Sequence, residues 1–204
     1  MHEWLFVIAW IVSLRVLQIL LARFSLSHFA DRKILHILVG FSVIPLTRVI
    51  PHWYVALVPV LMILSANARS NLKGQPARSF LYRAYAMLGV LLPLALLLFL
   101  WRQGRMQTIV LAVLVMTLGD AAAAIGGRMW GAHRLFRNNK TLEGALCNLL
   151  VSFATVFVAT RSVLVSTAAA LTATTVEATV PGIWDNPAVL IATLLLLSYF
   201  KIVQ

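Results

Sequence analysis

The chain has 204 residues, of which 61% are hydrophobic and 11% are charged, and its mean hydropathy is +0.92. A soluble globular domain carries about 25% charged residues, so this composition excludes a soluble enzyme and a disordered chain and indicates an integral membrane protein. The single cysteine excludes a disulfide framework and a cysteine metal site. The chain has 17 basic residues and 6 acidic ones, and the basic residues lie between apolar runs. This pattern is typical of membrane topology rather than of nucleic-acid binding.

Long apolar runs divide the chain from end to end. They lie near residues 4–22, 34–50, 53–65, 84–100, 107–125, 142–160, 163–180 and 187–203. Runs of about 20 apolar residues cross the ~30 Å hydrocarbon core of a bilayer. The first run lacks a preceding basic segment, which indicates a retained helix rather than a signal peptide. The sequence therefore predicts an all-α, polytopic bundle of seven or eight transmembrane helices, with the last two runs deciding the count, in a single membrane domain over residues 1–204.

The charged residues favour one side of the membrane. With the N-terminus outside, the inward loops hold eleven lysines and arginines and the outward side holds five, which predicts that the basic loops face the cytoplasm. Five of the six acidic residues fall near the same face: Asp31, Asp120, Glu143, Glu177 and Asp185. An ionisable side chain costs roughly 2.5–3.5 kcal/mol at the centre of a membrane helix and is usually kept for a function. Scarce carboxylates among many cations suit a magnesium–nucleotide site.

Residues 119–131 carry the first part of the most informative stretch. We expect Asp120 to end a hydrophobic helix beside four alanines, which let another helix or a nucleotide approach closely. Gly126, Gly127 and Gly131 would then free the backbone to wrap a phosphate, with Arg128 among them.

Residues 140–144 carry the second part. Lys140 and Thr141 precede a helix that opens with Glu143 and Gly144, and Thr141 is well placed as its N-cap. A helix N-terminus with a nearby lysine is a phosphate site. The alternative for the whole stretch is a glycine-bearing loop whose cations only set the topology.

Polar residues in two further segments complete the candidate site. Lys33 and His36 are three residues apart, so they share one helical face and can point toward a common cavity; the alternative for His36 is a buried, hydrogen-bonded histidine. Glu177 stands in a run of small apolar residues, with a helix-cap or interface role as its alternative. Asp185 and Asn186 precede a proline, which predicts a turn whose oxygens suit a hard cation or a ribose, or an ordinary loop.

These motifs resemble those of the CTP-using membrane enzymes that include the dolichol, phytol and diacylglycerol kinases and, more distantly, the phosphatidate cytidylyltransferases. The resemblance rests on Asp-x-x-Ala-x-x-x-Gly over 120–127, followed by Lys-Thr and Glu-Gly, on Arg-Lys-x-x-His-x-x-x-Gly over 32–40, and on Glu177 with Asp-Asn at 185–186. The His-Gly-Gly and Asp-Arg-x-Asp segments of the cytidylyltransferase branch are missing, which favours phosphate transfer. Asn138 and Asn139 stand where relatives often have a second lysine.

The resemblance implies a kinase that transfers the γ-phosphate of CTP, held with Mg²⁺, to the hydroxyl of a membrane lipid. Asp120 would bind Mg²⁺ or accept the hydroxyl proton, with Lys33 and His36 near the transferred phosphate. Arg128, Lys140, Thr141, Gly144 and the glycine backbone would cradle the triphosphate, and Glu143 would orient that loop. Glu177, Asp185 and Asn186 would complete the metal or nucleotide site.

Two alternatives stay open at this point. A CDP-lipid synthase would use the same central motif, and a transporter or scaffold would have no chemistry at all, although a transporter predicts charges near the midpoints of the runs rather than at their ends. The acceptor lipid and the oligomeric state do not follow from the sequence.

Overall fold

The computed structural model describes residues 2–23, 28–50, 52, 93–135, 140–180 and 184–200, which form seven helices and one short hairpin. The helices are α1 (His2–Arg23), α2 (His28–Val49), α3 (Pro93–Arg102), α4 (Met106–Trp130), α5 (Leu142–Thr160), α6 (Val163–Thr179) and α7 (Asp185–Tyr199). Strands β1 (Arg134–Leu135) and β2 (Lys140–Thr141) pair antiparallel between α4 and α5. The all-α prediction is confirmed; the predicted run 53–65 and most of 84–100 lie outside the described residues.

Two of these helices, α4 and α5, are long and apolar enough to cross a membrane. The described residues also contain shorter apolar segments in α1, α3, α6 and α7. Large apolar side chains cover much of the exterior, for example Leu150 (68% exposed), Val158 (66%) and Leu164 (70%). Soluble monomers rarely expose wide apolar surfaces, so this exterior suits contact with lipid.

Helix α4 lies at the centre of the bundle and packs against α2, α5, α6 and α7. Its buried Ala112 and Val115 belong to the same core as Val156 of α5 and Leu194 of α7. Small residues bring α4 and α5 close together, because a Cβ at Gly119 would lie only 2.7 Å from the buried Asn148 Oδ1. This close packing holds the segment around residue 120 against α5.

The two ends of the bundle differ in their chemistry. At one end, Glu3 Oε1 lies 2.8 Å from His52 Nδ1, and Arg105 Nη1 donates a hydrogen bond of 3.0 Å to the Ser198 carbonyl. At the other end, which we call the hairpin end, the first half of α2, the last part of α4, the hairpin, the start of α5 and α7 and the end of α6 meet.

Two local predictions are wrong. Asp120 does not end a helix, since α4 continues ten residues to Trp130, about 15 Å further along its axis. The four alanines after Asp120 are the strongest helix formers, and they carry the helix through the glycines that follow. The turn predicted at residues 185–187 is instead the first turn of α7, where proline is tolerated because the missing N–H has no intrahelical partner there.

Candidate functional site

A cavity of about 380 Å³ opens at the hairpin end. Its described lining includes three basic and three acidic side chains, contributed by α2, α4, β2, α6 and α7: Lys33, Asp120, Arg128, Lys140, Glu177 and Asp185. All six are residues that the sequence singled out, although they are spread over more than 150 positions of the chain. The fold therefore gathers the predicted charges into one site.

Lys33 and Asp120 form an ion pair on one wall of the cavity. The Lys33 ammonium donates a hydrogen bond of 2.6 Å to Asp120 Oδ2 and lies 3.5 Å from the Asp120 main-chain carbonyl. Lys33 is buried, at 7% exposure. His36 stands one turn further along α2, with its Nε2 3.4 Å from the same Oδ2. As the spacing predicted, Lys33 and His36 share a helical face, and both reach the one carboxylate that α4 carries.

Lys140 is the centre of the second charged cluster that lines the cavity. Its Nζ donates to the Glu177 main-chain carbonyl, lies 2.7 Å from Glu177 Oε1 and is 3.4 Å from Asp185 Oδ2. Glu177 is buried near the end of α6, and Asp185 begins α7. A single ammonium thus joins β2, α6 and α7.

The start of α5 has the predicted cap. Thr141 has extended backbone angles, and its hydroxyl oxygen accepts a hydrogen bond of 3.2 Å from the Gly144 amide. Both residues line the cavity. The positive end of the α5 dipole therefore faces the same space as the charged side chains.

Glu143 makes its hydrogen bonds at the base of the hairpin rather than in the cavity. Its carboxylate accepts hydrogen bonds of 3.2 and 3.3 Å from the His133 amide, and its Oε1 lies 2.7 Å from His133 Nδ1. The predicted role of orienting the loop fits this geometry, but among the described residues Glu143 does not line the cavity. His133 was not singled out from the sequence, since nothing local links it to a carboxylate ten residues away.

The predicted glycines serve close packing instead of a flexible phosphate loop. Gly126 and Gly127 are helical, so their amides are not presented by a loop, and Gly131 has a negative φ of −66°. A Cβ at Gly126 would lie 2.3 Å from Cys147 Sγ, and one at Gly131 would lie 2.1 Å from the Gly127 carbonyl oxygen. Gly144 packs against α4 in the same way, since a Cβ at Gly144 would lie 2.7 Å from the Ala123 carbonyl oxygen. The expectation of a glycine loop at residues 126 and 127 is therefore wrong, because both residues are helical; Gly127 lines the cavity, and nucleotide contact by these glycines stays a prediction.

Arg128 and Asn186 differ in their relation to the cavity. Arg128 lines it, and its Cζ lies 4.7 Å from the centroid of the Phe29 ring. Asn186 is outside the described lining. Its main-chain N–H donates a hydrogen bond of 2.8 Å to Asp185 Oδ1, which orients that carboxylate. Phe29 was missed in the sequence, although it precedes Lys33 by four residues and so shares its helical face.

The carboxylates of the cavity suit a magnesium ion only together with oxygen ligands from a bound phosphate. Carboxylate oxygens are suitable donors, and Asp120, Glu177 and Asp185 line the same cavity. However, no three His, Cys, Asp or Glu side chains of the described residues are grouped closely enough to hold a metal. Mg²⁺ is usually held by one or two carboxylates together with substrate phosphates. The site fits an ion that arrives with a phosphate-bearing ligand rather than an all-protein cage.

Comparison of the chain with protein-family models, with curated proteins and with solved structures finds no match.

Proposed function

We propose that this chain is a multi-pass membrane kinase that transfers the γ-phosphate of CTP to the hydroxyl of a lipid alcohol of the polyprenol, phytol or diacylglycerol type. The observation that carries the proposal is the gathering of three cations and three carboxylates around one cavity at the end of an apolar bundle. Phosphoryl transfer needs chiefly positioning and charge neutralisation, which such a set supplies. The choice of CTP rests on the sequence resemblance.

The residues divide into three groups by role. Arg128 neutralises phosphate oxygens, aided by the N-terminus of α5, and Lys140 would do so only when its ion pairs with Glu177 and Asp185 are exchanged for the bound Mg²⁺ and phosphate. Asp185 and Glu177 are the carboxylates that would hold Mg²⁺ together with the phosphates, and the ion, when bound, neutralises charge that develops on the leaving diphosphate. Asp120 stands apart from them, fixed by Lys33 and near His36.

Asp120 is the proposed proton acceptor. The lipid hydroxyl oxygen bonds to the γ-phosphorus, the bond from that phosphorus to the β–γ bridging oxygen breaks, and CDP leaves. The hydroxyl proton passes to the Asp120 carboxylate, whose position is set by the 2.6 Å hydrogen bond from Lys33. The lipid tail remains among the apolar helices, which places its hydroxyl at the cavity.

The direct test is label transfer by the purified protein in detergent, with Mg²⁺, γ-labelled CTP and a panel of lipid alcohols. We expect label in the organic phase and release of CDP. Asp120→Asn should lower turnover by about 100-fold or more, the usual contribution of a general base, measured at a temperature where the variant is still folded, because the substitution also leaves the buried Lys33 ammonium without its charged partner. Glu3→Gln, a carboxylate change at the opposite end, is the matched control.

Each other outcome has a distinct meaning. Near-normal activity of Asp120→Asn would remove this residue from the chemistry. Release of pyrophosphate from CTP when lipid phosphates are supplied would favour a CDP-lipid synthase. Absence of both reactions would favour a transporter or scaffold.

The proposed cytoplasmic orientation of the hairpin end has its own test. In a Cys147→Ala background, His133→Cys places a thiol at the hairpin end and Gln103→Cys places one at the opposite end, and both native side chains are exposed. A membrane-impermeant thiol reagent added to intact cells should label the Gln103 variant and spare the His133 variant. The reverse pattern would invert the orientation.

A further inference from the structure

The three cations of the cavity are held in different ways. Lys33 is paired with Asp120, and Lys140 is paired with Glu177 and Asp185. Arg128 is held instead by the face of the Phe29 ring, 4.7 Å from its centroid. No carboxylate whose side chain the structure describes forms an ion pair with it. Arg128 is thus the cavity cation whose charge the described partners leave uncompensated.

An aromatic partner has a different chemical consequence from a carboxylate. A carboxylate neutralises a guanidinium and accepts two of its five N–H donors, often as a bidentate pair. An aromatic ring attracts the cation through its face and accepts no conventional hydrogen bond, so the donors at the guanidinium edge stay available. Stacking on Phe29 therefore fixes Arg128 in place and keeps its charge and donors for an incoming anion.

We propose that Phe29 is a positioning residue for Arg128, and that the Phe29–Arg128 pair is the phosphate-recognising element of the cavity. The recognised group is a phosphate, because the guanidinium fork matches the geometry of phosphate oxygens. The assignment of that phosphate to a nucleotide rests on the proposed function. Direct stacking of Phe29 on the base of the nucleotide is the competing role, and it makes a different prediction.

Two probes separate these roles: tripolyphosphate, which has no base, and CTP, each with Mg²⁺. Their dissociation constants are measured by calorimetry on the full chain in detergent. If Phe29 acts through Arg128, Phe29→Leu should raise both constants by a similar factor, roughly two- to fivefold, the range of a partly exposed cation–π contact. Phe29→Trp, which keeps an aromatic face, should bind both probes as the wild type does. Phe153→Leu, a stacked phenylalanine in α5 away from the cavity, is the matched control.

A double-mutant cycle tests the coupling. Arg128→Gln should weaken both probes on the order of tenfold, since it removes a charge-assisted contact. Phe29→Leu added to Arg128→Gln should then have no further effect, which a general loss of structure would not produce.

Several results would overturn the inference. Weaker binding of CTP alone would assign Phe29 to the base, additive effects would separate Phe29 from Arg128, and a wild type that does not bind tripolyphosphate would remove the phosphate site. If Phe29→Leu unfolds, the Phe29→Trp and Arg128→Gln variants still test the pair. Coupled binding without lipid labelling would refute the proposed kinase alone, whereas labelling with no effect of Phe29→Leu would refute this inference alone.

Discussion

Replacement of Lys140 by methionine tests the cluster that joins β2, α6 and α7. Methionine keeps an unbranched apolar stem and removes the ammonium that neutralises Glu177 and Asp185. The side chains of Lys140, Glu177 and Asp185 are only 19%, 11% and 24% exposed, so the stranded carboxylates lie largely out of water. Loss of one partner from a buried ion pair costs about 3–5 kcal/mol, and this cluster, which is not fully buried, belongs at the lower end.

A loss of about 3 kcal/mol corresponds to a fall of roughly 6–12 °C in the melting temperature of a chain of this length. Thermal unfolding in detergent, followed by tryptophan fluorescence without added nucleotide or Mg²⁺, measures it. Adding Glu177→Gln and Asp185→Asn to Lys140→Met should restore most of the stability, because the stranded charges are then removed. Arg102→Met, a surface cation at the opposite end, should change stability by less than about 0.5 kcal/mol.

The prediction is wrong if Lys140→Met melts within about 1 °C of the wild type, since the ion pairs of Lys140 would then contribute nothing measurable. It also fails if the triple variant is no more stable than Lys140→Met, because the loss would then come from packing rather than from uncompensated charge.

Three further substitutions probe the packing around the site by the same unfolding measurement. Gly126→Ala should cost about 1 kcal/mol net, since overpacking against Cys147 exceeds the gain in helix propensity, and Cys147→Ala should recover part of it, because the Cys147 sulfur is removed while its Cβ stays 2.9 Å away; no recovery would contradict the contact. Thr141→Ala should cost about 1 kcal/mol through loss of the α5 cap and Thr141→Ser much less, so equal losses would exclude capping. Asn148→Leu should cost about 1–3 kcal/mol by leaving the buried Ser152 hydroxyl without its 2.8 Å acceptor, and an unchanged melting temperature would show that bond to be dispensable.

Features set by local periodicity were predictable from the sequence. Apolar runs predict the helices α1, α5, α6 and α7 to within about four residues of their observed ends, whereas α2 begins six residues before its run and α4 ends five residues after its run. The three-residue spacing predicts that Lys33 and His36 share one face, and the position of Thr141 just before the helix opened by Glu143 predicts it as the N-cap of α5. These features depend on residues within one or two turns of each other, so no knowledge of the tertiary contacts was needed.

Features set by tertiary contacts were not predictable in the same way. In the sequence, Gly126 and Gly127 indicate a backbone free to wrap a phosphate, whereas in the structure both are helical and close packing against α5 requires a small residue there. The partner of Glu143 is His133, across a hairpin, and the partner of Arg128 is Phe29, almost 100 residues earlier. Each requires knowledge of which helices are neighbours.

The cavity has an internal electrical polarity. With formal charges, Lys33 and Asp120 cancel, the Lys140 cluster with its two carboxylates carries one negative charge, and Arg128 carries one positive charge. Such a dipolar space prefers a ligand that is itself dipolar, with a cation at one end and phosphate oxygens at the other, and it aligns that ligand in one direction only. Binding of an anion near Arg128 makes binding of a cation near the Lys140 cluster more favourable, and the reverse also holds. The affinities for the anion and for the cation must therefore rise by the same factor. Under the proposed function, the cavity would therefore bind the metal–phosphate complex as a unit more tightly than either component alone.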